Sequence, residues 1–410
     1  MRLGIDLRGI TYDSAGRGIG TLTATVCEGI ARYAPEAKPV LFVREGLPLA
    51  PRIATLPAEW PRVEVPTFSW QDQPAHWPIM NVRKVRALPP LRDAYHRWLT
   101  AESRKAFTAA VAAQPLDLLF MPSAVDLGSY PCGDFTIPVA ATFHDAIPLR
   151  DHAAFYDRWS KGIREHYDAQ LRALRGYARV LAISRSAADD AIRYAQVDPE
   201  RLEVVYCSIP DDWYEPTLDS ERVAIRTRFG LDRPTFVFVS ALDEHKNWRR
   251  LLRAFVPLAG AHQLILVAKS SGPAHDAFAA ERARLGLKEA DVFATGWLEE
   301  AELRALVAES AGLVSPSLHE GFGMPAAQAL AQGTPVAASN AASLPEVVLD
   351  AGVLFDPLDT GAITAAMQSL LTPGHREAVA ARARAAAARF RLEETTRRTM
   401  DAFRKAVGTE

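Results

Sequence analysis

Cysteine is scarce in this chain. There are three in 410 residues (Cys27, Cys132 and Cys207), with no paired spacing. That excludes a disulfide framework and a thiolate zinc site, and isolated thiols fit a reducing compartment. Excess charge is also missing. Charged residues make up 23% of the chain and the formal net charge is -2, whereas a dedicated nucleic-acid binder is basic. Nucleic acid is therefore not an expected partner. No apolar run approaches the roughly 20 residues that span a bilayer. The opening MRLGIDLRG has charges inside a strand-like run and does not read as a signal peptide. The expectation is a cytoplasmic protein, at most peripheral on the inner face of a membrane. No Asp-x-Asp stands at a strand end, so no metal is expected. No G-x-G-x-x-G directly follows a strand, which disfavours a nicotinamide enzyme. No cofactor is expected.

What is present is an alternation of short apolar runs with longer helical patterns. Leu3–Leu7, Val40–Val43, Leu116–Met121, Ile137–Phe143, Val180–Ile183 and Val204–Tyr206 read as strands. After Pro216 the pattern restarts with Thr235–Ser240, Leu264–Ala268, Val292–Thr295, Leu313–Ser315, Val336–Ser339 and Val353–Phe355. Continuous apolar strands between helices mean parallel sheets covered on both faces. At this length two such units are expected: an α/β chain of two Rossmann-like domains facing across a cleft. The N-terminal domain is drawn at 1–208, a polar, proline-bearing linker (IPDDWYEPTLDSE) at 209–220, the second domain at 221–388, and a final helix at 389–410 packing back on the first. The stretch 52–92, rich in Pro and Trp, reads as an irregular excursion. Ligands are expected at the carboxyl ends of the strands.

Four segments fall there. In SPSLHEGFGMPAAQAL, Leu313–Ser315 ends a strand, His319–Met324 is a loop, and Pro325 sits in the first turn of a helix. Gly321 and Gly323 permit close backbone approach, and the N–H groups of Gly323 and Met324 can face an anion. Glu320 can accept from sugar hydroxyls, with Gln328 one turn further in. Taken alone, a glycine-rich loop that merely turns a corner explains the segment equally well. Arg17-Gly18-Ile19-Gly20 precedes a helix read as starting near Thr21, and its N–H groups can face phosphate or sugar oxygens. His144 and Asp145 follow the strand Ile137–Phe143. The alternative for His144 is a strand-end histidine holding backbone groups, and Asp145 can act by orienting the loop. In LAISRSAADD, Ser184 reads as an N-cap and Arg185 as a side chain able to face the cleft. Residues Arg83–Lys105 hold seven Lys/Arg, with Trp77 and Trp98 nearby. This suits either a surface that meets anionic lipid or a solvated helix face.

HEGFGMPAAQAL and the following GTPVAAS and LPEV resemble the donor site of retaining glycosyltransferases of family 4, which have the two-domain B-type fold. FVSALDEHKNWRRLLRAF resembles that family's first C-domain strand and turn, and VFATGWLEEAELRAL its nucleobase-side turn, with Gly296 and Trp297. IDLRG, GRGIG and TFHDAIPL resemble the N-domain of mannosyltransferase-like members. Five motifs in order are specific together, although residues 45–110 carry no match.

The resemblance implies roles. Lys246 of the KN turn contacts the donor diphosphate, where a fixed cation offsets charge building on the leaving group. Glu320 contacts the transferred sugar, Phe322 lies in the donor loop, and His144 reaches the sugar or the reaction centre. The family's second Glu, on the ribose, is here Gln328, which can bond a hydroxyl without the charge that strengthens such bonds. A family Arg five residues before the Lys is here Ala241, with Arg17 a candidate substitute. The implied activity is metal-independent, retaining hexosyl transfer from a nucleotide-diphosphate sugar, GDP-mannose or a related deoxyhexose donor favoured. The acceptor would be a carbohydrate or lipid-linked hydroxyl in surface polysaccharide synthesis. Ala241 and Gln328 support the alternative of a nucleotide-sugar-binding protein with little activity. An epimerase with a similar double-Rossmann frame is disfavoured by the EGFG loop and the KN turn.

Overall fold

The computed structural model describes residues 1–10, 18–47, 54–66, 89–125 and 135–409, leaving aside the side chains of 89–97 and 99. Seven strands make the first sheet: β1 (Arg2–Asp6), β2 (Lys38–Arg44), β3 (Arg62–Val65), β4 (Leu118–Met121), β5 (Val139–Phe143), β6 (Arg179–Ala182) and β7 (Leu202–Val204). Their order is β3-β2-β1-β4-β5-β6-β7 and every pairing is parallel. Every residue of β4 and β5 is buried, as a sheet covered on both faces requires. Cys27 and Ile30 of the helix Gly18–Tyr33 pack under β1 and β2 with Leu3, Ile5 and Leu41.

Six strands make the second sheet: β8 (Thr235–Val239), β9 (Gln263–Val267), β10 (Val292–Ala294), β11 (Gly312–Ser315), β12 (Val336–Ser339) and β13 (Val353–Phe355). The order is β10-β9-β8-β11-β12-β13, again all parallel. Trp248, Leu251, Leu252 and Phe255 of the helix Trp248–Phe255 are all buried. They join Phe236, Phe238 and Leu266 in one core.

The chain divides into two units, Met1–Tyr206 with Glu393–Glu410, and Cys207–Leu392. Residues 209–220 are docked on the second unit: Trp213 is buried, its Nε1 donating to Glu300 at 2.8 Å, and the Tyr214 hydroxyl donates to Ala387 O at 2.9 Å. The helix Leu392–Val407 belongs mostly to the first unit. Met400, Ala402 and Phe403 enter that unit's core, Phe403 lies 4.8 Å from Phe120, and Lys405 pairs with Glu203 at 2.8 Å.

Four local expectations are corrected. A strand, β3, stands within the stretch read as irregular. Its sequence RVEV is half charged, and as an edge strand it buries only Val65, so no apolar run announces it. The helix after β1 begins at Gly18, not near Thr21. Glycine is a poor helix former, yet the N–H groups of a first turn need no intrahelical partner, so glycines are tolerated there. β7 lies at Leu202–Val204, two residues before the apolar run that suggested it. The final helix runs Leu392–Val407, not from 389, because Ala388–Phe390 form a separate turn after the helix His375–Ala387.

Candidate functional site

The strand order of the second sheet reverses between β8 and β11, the position where the loops beyond two neighbouring strands diverge and leave a crevice. Lys246 ends the turn Glu244–Lys246 beyond β8, and Glu320 lies in the loop beyond β11. Lys246 Nζ reaches both carboxylate oxygens of Glu320 at 2.9 Å, and Ser317 Oγ donates to Glu320 Oε1 at 2.8 Å. The two charged side chains are 17% and 15% exposed. Both remain in reach of solvent, yet the Coulomb interaction between them is stronger than at an open surface.

Backbone bonds hold this pair in place. Asn247 adopts a left-handed conformation (φ 59°), for which asparagine is well suited. Its Nδ2 donates to Pro316 O at 3.0 Å and Pro357 O at 2.8 Å, tying together the loops beyond β8, β11 and β13. Leu318 N donates to His245 O at 2.8 Å. Ser343 Oγ donates to Phe322 O at 2.7 Å, with Glu320 O at 3.0 Å a second acceptor in reach, and Ser339 Oγ donates to Ser317 O at 2.7 Å. Burial, then the neighbouring Lys246 charge, lowers the pKa of His245.

Gly323 caps the helix Met324–Ala331 at φ 102°, and a Cβ there would stand 2.7 Å from Leu344 Cδ2. No other residue fits without displacement. The N–H groups of that helix's first turn therefore end at the Glu320 loop, an arrangement suited to an anion. Gly321 is buried in the same loop and Met324 is half-buried at the helix start. Phe322 is buried edge-on against Phe390, ring centroids 5.0 Å apart, so its ring is a packing element. Gln328 is half-buried, and its amide makes no hydrogen bond among the described residues. Gly296 (φ 81°) follows β10, its Cβ position 3.1 Å from Ser270 Oγ, and Trp297 beside it is 60% exposed. All these groups lie at the carboxyl edge of one sheet. The structure adds Asn247 and Ser317, each inside a quoted motif, and Ser343, which immediately precedes LPEV; sequence reading missed all three as functional.

The first unit holds the remaining candidates. His144 follows β5, is 8% exposed, and its Nε2 lies 3.0 Å from Pro122 O. A carbonyl can only accept, so Nε2 carries the proton and Nδ1 is left as an acceptor. Burial drives its pKa down to about 4, against a smaller raising effect of the Pro122 bond. The imidazole is neutral at pH 7 and ties the strand end to the loop beyond β4. Asp145 Oδ1 accepts from Ile147 N at 3.0 Å, which orients the loop. Ser184 caps the helix Arg185–Asp190, its Oγ accepting from Ala187 N at 2.9 Å, and Arg185 is exposed. Gly18 and Gly20 lie in the first turn of their helix. Arg17, Trp77, Arg83, Lys84 and Arg86 fall outside the described residues. Of the basic segment, Arg104 and Lys105 are exposed, Lys105 pairing with Glu102 at 2.8 Å, and Trp98 is 48% exposed.

Known families match this arrangement. Residues 55–213 match the model described as Glycosyltransferase Family 4, and residues 233–373 that described as Glycosyl transferases group 1. The chain belongs to glycosyltransferase family 4. Among relatives of this family-4 chain, the O-antigen chain mannosyltransferase B of Escherichia coli is 30% identical over 229 residues, 55% of this chain and 60% of that protein. The serotype-specific mannosyltransferase WbdA of Escherichia coli is 24% identical, covering 99% of this chain but 48% of the relative. The chain thus spans about half to three-fifths of these relatives' own lengths. The Anabaena protein HepE, crystallised with UDP and glucose, superposes with a TM-score of 0.68 at 16% identity, covering 98% of this chain and 99% of that one. The fold is the two-domain B-type glycosyltransferase fold.

Proposed function

We propose that the chain transfers a hexose, with mannose or a related deoxyhexose favoured, from a nucleotide-diphosphate sugar to a hydroxyl acceptor. The observation that carries this reading is the Lys246–Glu320 pair, held at the switch point of the second sheet beside a helix N-terminus. A donor diphosphate competes with Glu320 for Lys246 Nζ, and the released carboxylate accepts from hydroxyls of the sugar. As the anomeric bond loosens, negative charge grows on the diphosphate, where Lys246 and the first-turn N–H groups of Met324–Ala331 offset it. The acceptor hydroxyl attacks from the same face, so configuration is retained. Lys246 supplies fixed positive charge at the leaving group, and no metal enters the reading. His144, neutral with Nδ1 as acceptor, receives a hydrogen bond from the sugar and holds it in place.

The two mannosyltransferase relatives favour mannose as the transferred sugar; GDP is the nucleotide we propose for it, and the UDP complex of HepE makes UDP the first competitor to test. A carbohydrate or lipid-linked acceptor of a surface polysaccharide suits the O-antigen relative. Peripheral contact with the inner membrane face through Trp98, Arg104 and Lys105 belongs to the same reading.

Calorimetric titration with GDP-, UDP- and dTDP-sugars tests it, with turnover assayed before and after chelator treatment. One nucleotide sugar should bind in the micromolar range, and chelator should leave turnover intact. Lys246→Ala and Glu320→Ala should each weaken binding and lower kcat by about 10²–10³-fold. Failure of every donor to bind folded protein would overturn the proposal.

A further inference from the structure

The opposite edge of the second sheet, where β8 and β11 begin, carries a cavity of about 430 Å³ lined by Arg222, Arg226, Arg233, Arg376, Asp232 and Glu309. Arg222 and Arg226 lie one turn apart on the helix Asp219–Phe229 and converge on Glu309 at 2.9 and 2.6 Å. Arg233 is held by Asp232 at 3.1 Å and Asp291 at 2.7 Å. Arg376, from the helix His375–Ala387, donates through Nη2 to the Ser310 carbonyl. Four guanidinium groups therefore line the cavity with two carboxylates.

Their hydrogen-bonding capacity is not used up. Arg222 donates only through Nε, leaving both terminal amino groups uncommitted among the described residues. Arg226 uses Nε and Nη2 on Glu309, and Arg376 uses Nη2, so each keeps Nη1. Burial, then the like charge of Arg222, pushes the pKa of Arg376 down, against the raising effect of Glu309 and Glu377, so a buried cation here is stabilised by added counter-charge. A second cavity of about 350 Å³, reaching Tyr214, Thr217 and Arg384, shares Arg222 and Arg376 with the first. Two adjoining cavities with two guanidinium groups on their common wall match two linked phosphates, because the planar fork of arginine bonds phosphate oxygens in pairs.

We propose that these adjoining cavities bind a diphosphate group, with Arg222 and Arg376 as its principal donors, at a site separate from that of Lys246 and Glu320. The site lies at the amino edge of the sheet, so its occupant does not compete with a donor at the carboxyl edge.

The test uses the full chain carrying Lys246→Ala, which silences the other diphosphate contact, titrated calorimetrically with inorganic pyrophosphate. Binding should persist in this background. Arg222→Gln added to it should weaken binding more than tenfold. Glu309→Gln should tighten it several-fold by releasing two guanidinium groups, a gain that a purely structural role for the cluster would not give. GDP titrated in parallel separates two sources of the ligand: affinity equal to pyrophosphate assigns recognition to the diphosphate, and tighter binding extends the site to a nucleoside. No binding in the Lys246→Ala background, or binding unchanged by Arg222→Gln, overturns the proposal. If Arg222→Gln does not fold by circular dichroism, Glu309→Gln decides alone, and unchanged or weaker binding overturns it.

Discussion

Both sheets carry an ion pair where their strand order reverses, and the two pairs are built in opposite ways. In the first unit, Arg8 reaches back to Asp6 on the strand it has just left, with contacts of 2.8 and 2.9 Å. The side chains are 3% and 6% exposed, and the guanidinium carbon stands 3.3 Å from the centre of the Phe107 ring. In the second unit, Lys246 and Glu320 come from separate loops and keep 17% and 15% of their surfaces. A pair closed on itself inside the protein stabilises or destabilises the fold according to how well its desolvation is offset. A pair made between two loops at an open edge can exchange a partner for a ligand. The sequence-local pair is structural and the sequence-distant pair is the candidate for chemistry.

The largest expected effect tests the closed pair. Arg8→Met leaves the Asp6 carboxylate buried without its cation and should cost about 3–5 kcal/mol of stability by denaturant titration. A loss below about 1 kcal/mol would mean that the pair is as dispensable as a surface ion pair and would break the contrast.

His144 gives a pH test of the first unit. Its folded pKa, about 4, lies below the ordinary 6.5, so between those values the unfolded chain binds the extra proton. This contribution to stability is present above pH 6.5 and is lost as pH falls towards 4, about 3 kcal/mol over the whole window. His144→Gln should remove that part of the pH dependence. Parallel stability curves for the two proteins between pH 7.5 and 4.5 would show that the histidine titrates normally.

Ser343→Ala is the smallest perturbation and sharpens the view of the second unit. It removes the hydroxyl that holds the carbonyls of the Glu320 loop. It should cost about 1 kcal/mol of stability and weaken nucleotide-sugar binding more than stability. A loss of stability with unchanged donor affinity would separate the serine from the site.

The strands inside each sheet were legible because their residues are buried on both faces, which leaves an unbroken apolar run such as TFVFV or QLILV. β3 was not, since an edge strand with charges at alternate positions looks like loop. The same limit applied to the site. Lys246 and Glu320 stood out through their motifs, whereas Asn247 and Ser343 act through bonds to distant carbonyls that no spacing announces, and Ser317 through a bond to the Glu320 carboxylate three residues on. The ring of Phe322, named with the donor loop, is instead directed into packing on Phe390.

The alternation of strand and helix, the parallel sheets, and the family to which the loops belong can all be read from the amino acids alone. Those follow from local hydrophobic pattern and from residues adjacent in the chain. Folding is what pairs Lys246 with Glu320, keeps His144 neutral with its proton on Nε2, brings Phe403 into the first unit's core, and gathers four arginines around one cavity. Each of these depends on groups far apart in sequence, whose meeting is set by strand order and burial, and neither quantity is carried by any single segment.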